Sequence, residues 1–225
     1  MSQNLKFATA IIGNTSQGLI LRNEKLEDLI KEADFVSTFF LSLVGRKPET
    51  VEKIILNAIL VSVLLETSQD HVSAISAAMN VFKSINENES DIEKASENLI
   101  DSYVADQKKI PGFGHPVYED FDPRARELFE LARKNDIDIQ YMNIAKQLEH
   151  SLEDKLSFKI KKKLILNIDG AIAALLLTIG IDPMAGNAIF GMARVAGSIA
   201  HIVEEQKSGK GVKLINDEDL EYISK

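Results

Sequence analysis

The chain has 225 residues, no cysteine, no tryptophan and a formal net charge of −8. That length can bury a substantial core without staples, and the missing cysteine excludes disulfides, thiolate metal ligands and cysteine nucleophiles together. The acidic balance argues against a nucleic-acid partner, and the apolar stretches are too interrupted to span a membrane. The first residues lack the basic-then-apolar build of a signal peptide, so a cytoplasmic location is expected.

Strand signals are weak and N-terminal: residues 8–12 and 18–21, separated by residues 14–17, read as a small hairpin. Helical periodicity follows. Leu26, Leu29, Ile30 and Ala33 recur at three- and four-residue spacing, as do Val36, Phe39, Phe40 and Leu43. Residues 45–48 end that pattern. A strongly apolar helix is predicted over 51–65 and an alanine-rich one over 73–85. Residues 86–91 form a polar break, with Ser90 or Asp91 as the cap of a helix over 92–105. Further helices are predicted at about 123–134, 141–150, 170–179 and 183–206, and Gly209 and Gly211 mark a turn into a short terminal segment. The reading is mainly α, without internal repeat or low-complexity linker.

The densest chemistry lies in residues 110–125. Gly112 and Gly114 permit backbone conformations and close approaches that a Cβ forbids, and they place His115 in a loop a ligand can reach. Asp122 and Pro123 read as an N-cap followed by proline at the first helical position, which puts Arg124 in the first turn as an anion-binding group. The plainer alternatives are His115 bonding neighbouring backbone and Arg124 pairing with Glu127 on a helix surface.

Asp169 lies in the aliphatic run from Leu164 to Leu177. Ionised burial is costly there, and desolvation suits a base that removes a weakly acidic carbon-bound proton. The alternative makes Asp169 a cap for a helix beginning near Gly170. Arg194 sits among Phe190, Gly191, Met192, Ala193, Val195 and Ala196, an expensive place for an unpartnered charge. Residues 161–163 are a basic run of the kind usually left in solvent. His150 and His201 read as structural, and no His and carboxylate spacing matches a metal motif.

Residues 110–125 closely resemble the signature of the citrate synthase family, in which a G-F-G-H loop precedes D-P-R. His115-Pro116, the Ile110-Pro111 entry and the short chain look more like its compact branch, which includes citryl-CoA lyases and the lyase-type domain of ATP-citrate lyase. Residues 19–48 resemble the family's N-terminal segment, with Arg22-Asn23-Glu24 in place of its usual R-G-Y element. Residues 166–170 and 193–201 resemble its C-terminal third, and 214–223 the tail of the compact branch. Over roughly 60–85 the match is poor and the chain looks shortened. The resemblance implies a shortened citrate synthase-like helical fold, one domain over 1–225, with a small lobe at about 86–165 around the Gly-His loop.

The resemblance also implies roles. Asp169 matches the family's catalytic base, and His115 the histidine that donates to the keto-acid carbonyl. Arg124 and Arg194 match carboxylate-binding positions. The backbone of Ile110, Pro111, Gly112, Phe113 and Gly114, with Lys163, matches positions that contact coenzyme A. His71 overlays either the H-G-G-A element that stabilises the enol or the family's earlier D-H-G segment, with Val72 and Ser73 where the first has paired glycines. The further arginine that a partner subunit usually supplies is not evident at 213–216.

Implied partners are acetyl-CoA or citryl-CoA with oxaloacetate or a related keto acid, the thioester being a substrate, with no metal. A homodimer is implied too, and the small-residue helices at 170–177 and 186–197 suit close packing of that kind. Two readings stand. In one, the protein makes or cleaves the bond between acetyl-CoA and oxaloacetate. In the other, it is a non-catalytic homologue serving as a CoA-binding, regulatory or structural subunit.

Overall fold

The computed structural model describes residues 11–15, 18–64, 74–88, 91–156 and 162–208. Among them are nine helices and one three-stranded sheet, in agreement with the mainly α expectation. Strands β1 (Ile12–Thr15), β2 (Gly18–Leu21) and β3 (Glu24–Lys25) are antiparallel neighbours in chain order, with Ile12 opposite Leu21 and Ile20 opposite Lys25. The hairpin begins later than predicted: Asn14 and Thr15 belong to β1 rather than to the connection, and residues 8–10 lie outside the described part. β3 was not predicted, because two residues carry no readable alternation. Arg22 and Asn23 turn the chain into it with φ of 49° and 71°, the left-handed pair of a tight hairpin. The Arg22 Nε and Nη2 groups then donate to the Ser42 carbonyl, where a helix end favours a cation.

The helices are α1 (Leu26–Glu32), α2 (Phe35–Val44), α3 (Thr50–Ser62), α4 (Ala74–Asn88), α5 (Ile92–Ala105), α6 (Pro123–Lys134), α7 (Gln140–Leu156), α8 (Ile168–Thr178) and α9 (Pro183–Ser208). Side-chain chemistry sets their starts. Asp34 accepts from the Ser37 amide, Glu49 and Glu52 form a reciprocal capping box, and Asp91, not Ser90, caps α5. Asp122 caps α6, with Pro123 at its first position as predicted. α8 begins two residues earlier than expected because Asn167 is the cap, its Oδ1 accepting from the Gly170 amide. Asp169 is therefore inside the first turn, and its reading as a cap does not hold.

α8 is the axis of the core. Every residue from Ile168 to Leu176 is buried, and α4, α6 and α7 pack around it. A helix covered on all sides must be apolar on all sides. Each fully buried Ile or Leu contributes roughly 1.5–3 kcal/mol, and Asp169, at 1% exposure, is the charged exception on this helix. α4 adds Ile75, Met79 and Phe82 to the core and packs on both α8 and α9.

α9 sits close to its supports. A Cβ at Gly186 would lie 2.7 Å from Met79 Sδ, and one at Gly197 would collide with the Leu64 carbonyl. Gly186 and Gly197 are thus packed within this chain, whereas Gly191 has open space where a Cβ would lie. Outward, α9 exposes Met184, Val195, Ile199 and Ile202. No helix among the described residues is long and apolar enough to cross a membrane.

Candidate active site

The loop between α5 and α6 is laid against the chain that enters α8. Gly112 and Gly114 adopt φ of 87° and 82°, the left-handed conformation for which glycine is suited. The Gly114 amide donates to Ile165 O at 2.7 Å, and the Asn167 amide donates to Gly112 O at 3.0 Å, so Phe113 and Leu166 face each other as an isolated antiparallel bridge. Asn167 adds a third tie, its Nδ2 donating to Gly114 O at 2.9 Å. Where Gly112 crosses Gly170 there is no room for a side chain: a Cβ on Gly112 would lie 2.9 Å from Gly170 Cα. Two glycines 58 positions distant in sequence logic, one in the loop motif and one after the aspartate, are one contact in the fold.

This pairing gives Phe113 a defined orientation. In a bridge of this hydrogen-bonding pattern the central residues direct their own N–H and C=O groups away from one another. On the Leu166 side the outward amide is taken by Glu149, at 2.6 Å. The Phe113 groups point to the opposite edge, while its ring meets Phe82 edge-on.

His115 does bond neighbouring backbone, but through one nitrogen. Its Nδ1 lies 3.1 Å from the Val117 amide and 3.0 Å from the Tyr118 amide. Accepting from two N–H groups leaves the proton of the neutral ring on Nε2. That Nε2 lies 3.2 Å from Arg124 Nη2. Tyr118 packs against the imidazole with ring centroids 4.4 Å apart, and the Arg124 guanidinium carbon lies 5.9 Å from the centre of the same tyrosine ring.

Arg124 is held by Asp122 rather than by Glu127. Its main-chain N–H and Nε donate to Oδ1, both at 3.0 Å, and Nη2 donates to Oδ2 at 2.9 Å. Oδ2 also accepts from the Ile168 amide at 2.9 Å. The next residue is Asp169, in the first turn of α8, where the exposed amide dipoles favour an anion. His115, Arg124, Asp122 and the start of α8 therefore form one connected group, with Asp169 following directly on it.

The other predicted positions have surroundings of their own. Arg194 is half-exposed on α9, which packs on α4 and α3, so the expected burial among apolar neighbours is not what surrounds it; Val195 and Ala196 beside it are exposed. Lys163 is exposed and bonds Glu153 at 2.9 Å, an interaction that holds its ammonium above the ordinary lysine range. It is Lys162 that reaches the loop, donating to Pro116 O at 2.9 Å. Ile110 is buried under the loop and Pro111 half-buried. His150 pairs with Asp154 on an exposed face of α7. His71 lies outside the described residues, as does Lys161. Among the described residues, no three His, Cys, Asp or Glu side chains converge as a metal site would require.

Asp122, Asn167 and Tyr118 carry the geometry of this group, and none was singled out as a site residue from sequence. Asp122 was legible as a cap, but its bond to Ile168 joins positions 46 residues apart. The signal for Asn167 was its place three residues before Gly170, at the start of an apolar helix. Tyr118 gave none beyond proximity to the histidine.

Known proteins share both the sequence signature and the fold. The family description "Citrate synthase, C-terminal domain" matches residues 55–215. Citrate synthase 2 of Bacillus subtilis is 30% identical over 118 residues, which are 52% of this chain and 31% of the relative. The match thus spans under a third of that relative's length. Citryl-CoA lyase from Hydrogenobacter thermophilus superposes with a TM-score of 0.77 at 26% identity, covering 97% of this chain and 95% of that one. ATP citrate lyase from Methanosaeta concilii, solved with (3S)-citryl-CoA, superposes with a TM-score of 0.75 at 19% identity, over 100% of this chain and 43% of that one. With most of its length inside the family match and the Gly-His loop seated on α8, this chain belongs to the citrate synthase family.

Proposed function

We propose that this protein makes or cleaves the carbon–carbon bond between acetyl-CoA and oxaloacetate, working on a citryl-CoA intermediate. The observation that carries the reading is the 3.2 Å approach of His115 Nε2 to Arg124 Nη2. Two nitrogen donors, each fixed from behind by main-chain or carboxylate partners, converge on one place, and an oxyanion or carboxylate is the group that satisfies both. The same framework leads through Asp122 to the turn that carries Asp169, so a donor pair for the keto acid and a buried carboxylate belong to one construction.

In the synthetic direction Asp169 removes a methyl proton from acetyl-CoA, and the enolate carbon attacks the oxaloacetate carbonyl. His115 donates through Nε2 to the carbonyl oxygen, which becomes the citryl hydroxyl. In the cleaving direction the hydroxyl proton returns to His115 as the bond breaks. Its electron pair moves onto the thioester enolate, whose carbon takes the proton held by Asp169. Arg124 and Arg194 bind substrate carboxylates, and His71 stabilises the enol. The outward edge of Phe113, with Ile110, Pro111, Gly112, Gly114 and Lys163, receives coenzyme A; Lys163 must exchange Glu153 for a phosphate to do so.

The similarity in length and fold to the Hydrogenobacter citryl-CoA lyase favours cleavage as the net direction. The unit is one citrate synthase-like domain, with the lobe of about 86–165 over the loop, and acts as a homodimer in the cytoplasm. The apolar outer face of α9 supports self-association, since a surface of this kind is costly to leave in water.

The test is incubation of purified protein with citryl-CoA, with products followed by mass spectrometry. Acetyl-CoA and oxaloacetate are expected, and Asp169→Asn should lower their formation by about a thousandfold, within the range a general base supplies. Citrate and free coenzyme A instead would identify a synthase that hydrolyses the intermediate. No turnover above background would leave the non-catalytic reading in its place.

A further inference from the structure

We propose that Asp122 is a positioning residue for the keto-acid site: its carboxylate fixes the Arg124 guanidinium and sets its register against the helix that carries Asp169. The assignment rests on the reading of Arg124 as a carboxylate-binding group.

The Asp122 side chain has no solvent exposure, against 25% for that of Arg124. A helix cap needs one acceptor, and a serine or asparagine supplies it. Asp122 instead accepts from four donors, two on each oxygen: the Arg124 amide and Nε on Oδ1, and Arg124 Nη2 and the Ile168 amide on Oδ2. Only a carboxylate offers acceptors on both oxygens with no donor of its own. Two of the four bonds grip one edge of the guanidinium in the fork geometry that restrains both its position and its plane. The fourth reaches the amide just before Asp169. The guanidinium, His115 beside it and the first turn of α8 are thereby referred to one buried group.

Two roles for this carboxylate make opposite predictions. If it chiefly cancels the charge of Arg124, its removal strengthens the attraction for a substrate carboxylate. If it holds the guanidinium in place, its removal weakens binding although the local charge has become more positive. The four-donor geometry selects the second. An asparagine at this position turns its amide nitrogen towards two donors whichever way it is set: the Arg124 amide and Nε, or Arg124 Nη2 and the Ile168 amide.

The experiment uses Asp122→Asn in the full chain, titrated calorimetrically with oxaloacetate and, separately, with coenzyme A. The oxaloacetate Kd should rise about 10- to 100-fold, the order of cost of leaving buried donors unmatched, while the coenzyme A Kd stays within about twofold. Unchanged or tighter oxaloacetate binding overturns the proposal, and so does an equal loss for both ligands, which would mark a general structural role.

Nuclear magnetic resonance reads the clamp without a ligand. The Arg124 Nε–H signal, identified by its loss in Arg124→Lys, should exchange slowly with solvent in the wild type and at least about tenfold faster in Asp122→Asn. Fast exchange in the wild type overturns the proposal even if the variant does not fold. If the wild type binds no oxaloacetate, the keto-acid reading fails by itself, and the exchange rates alone decide whether Asp122 holds the guanidinium.

Discussion

Gly112 and Gly170 meet backbone to backbone, and a Cβ on Gly170 would lie 2.5 Å from Gly112 O and 2.5 Å from Leu166 Cδ1. The Leu166 methyl can swing aside, but Gly112 O is loop backbone and cannot yield without shifting the loop that carries His115. Gly170→Ala should therefore cost about 1–3 kcal/mol, the usual price of overpacking a tight contact. In a chain of this length that lowers Tm by several degrees, about 2–4 °C for each kcal/mol, in a thermal melt followed by circular dichroism. An unchanged Tm would mean the loop can lift away from α8 freely. Sequence showed that Gly112 and Gly114 permit conformations and close approaches that a Cβ forbids, because backbone freedom is a local property. It could not show that Gly112 needs Gly170, because that demand arises only when the two segments cross. The same division applies to Asp122: its capping of α6 was readable from Pro123 beside it, whereas its hold on Ile168 was not.

Helices were the most legible elements, and their ends followed the capping chemistry. α6 was read correctly at both ends because Asp122-Pro123 starts it unambiguously and Asn135 follows its basic last turn. α8 was misplaced by two residues because Asn167 and Asp169 are both plausible caps by residue type, and only the Gly170 amide decides between them. α9 was placed well along the chain, but which of its sides faces inward was not read from sequence. Gly186 and Gly197 point inward to Met79 and Leu64, whereas the outward positions Met184, Val195, Ile199 and Ile202, falling on one side at helical spacing, are apolar. If that face is the self-association surface, wild-type protein at micromolar concentration should show about twice the 24.9 kDa chain mass by light scattering, and Val195→Glu with Ile199→Glu should shift it to the monomer. A wild-type monomer would remove the homodimer from the account; a dimer untouched by both charges would place the interface elsewhere.

At the scale of the molecule, a single buried helix organises everything else: α4, α6 and α7 surround α8, and the loop after α5 is pressed onto its N-terminal turn. The core thus buries one carboxylate, Asp169, in the turn that the Asp122 bond to Ile168 ties to the loop carrying His115 and Arg124. That economy fits a chain matching nearly the whole of a citryl-CoA lyase while spanning under a third of its citrate synthase relative. It also fixes what the chemistry must do to solvent protons. A carboxylate that protonates the enolate carbon during cleavage exchanges its proton with water between turnovers. The most direct measurement is therefore citryl-CoA cleavage in deuterium oxide, with the acetyl-CoA product analysed by mass spectrometry. One deuterium in each acetyl methyl group, with product formation lost in Asp169→Asn, is the result this account predicts. Acetyl-CoA without deuterium, or formed equally well by the Asp169→Asn protein, would contradict it.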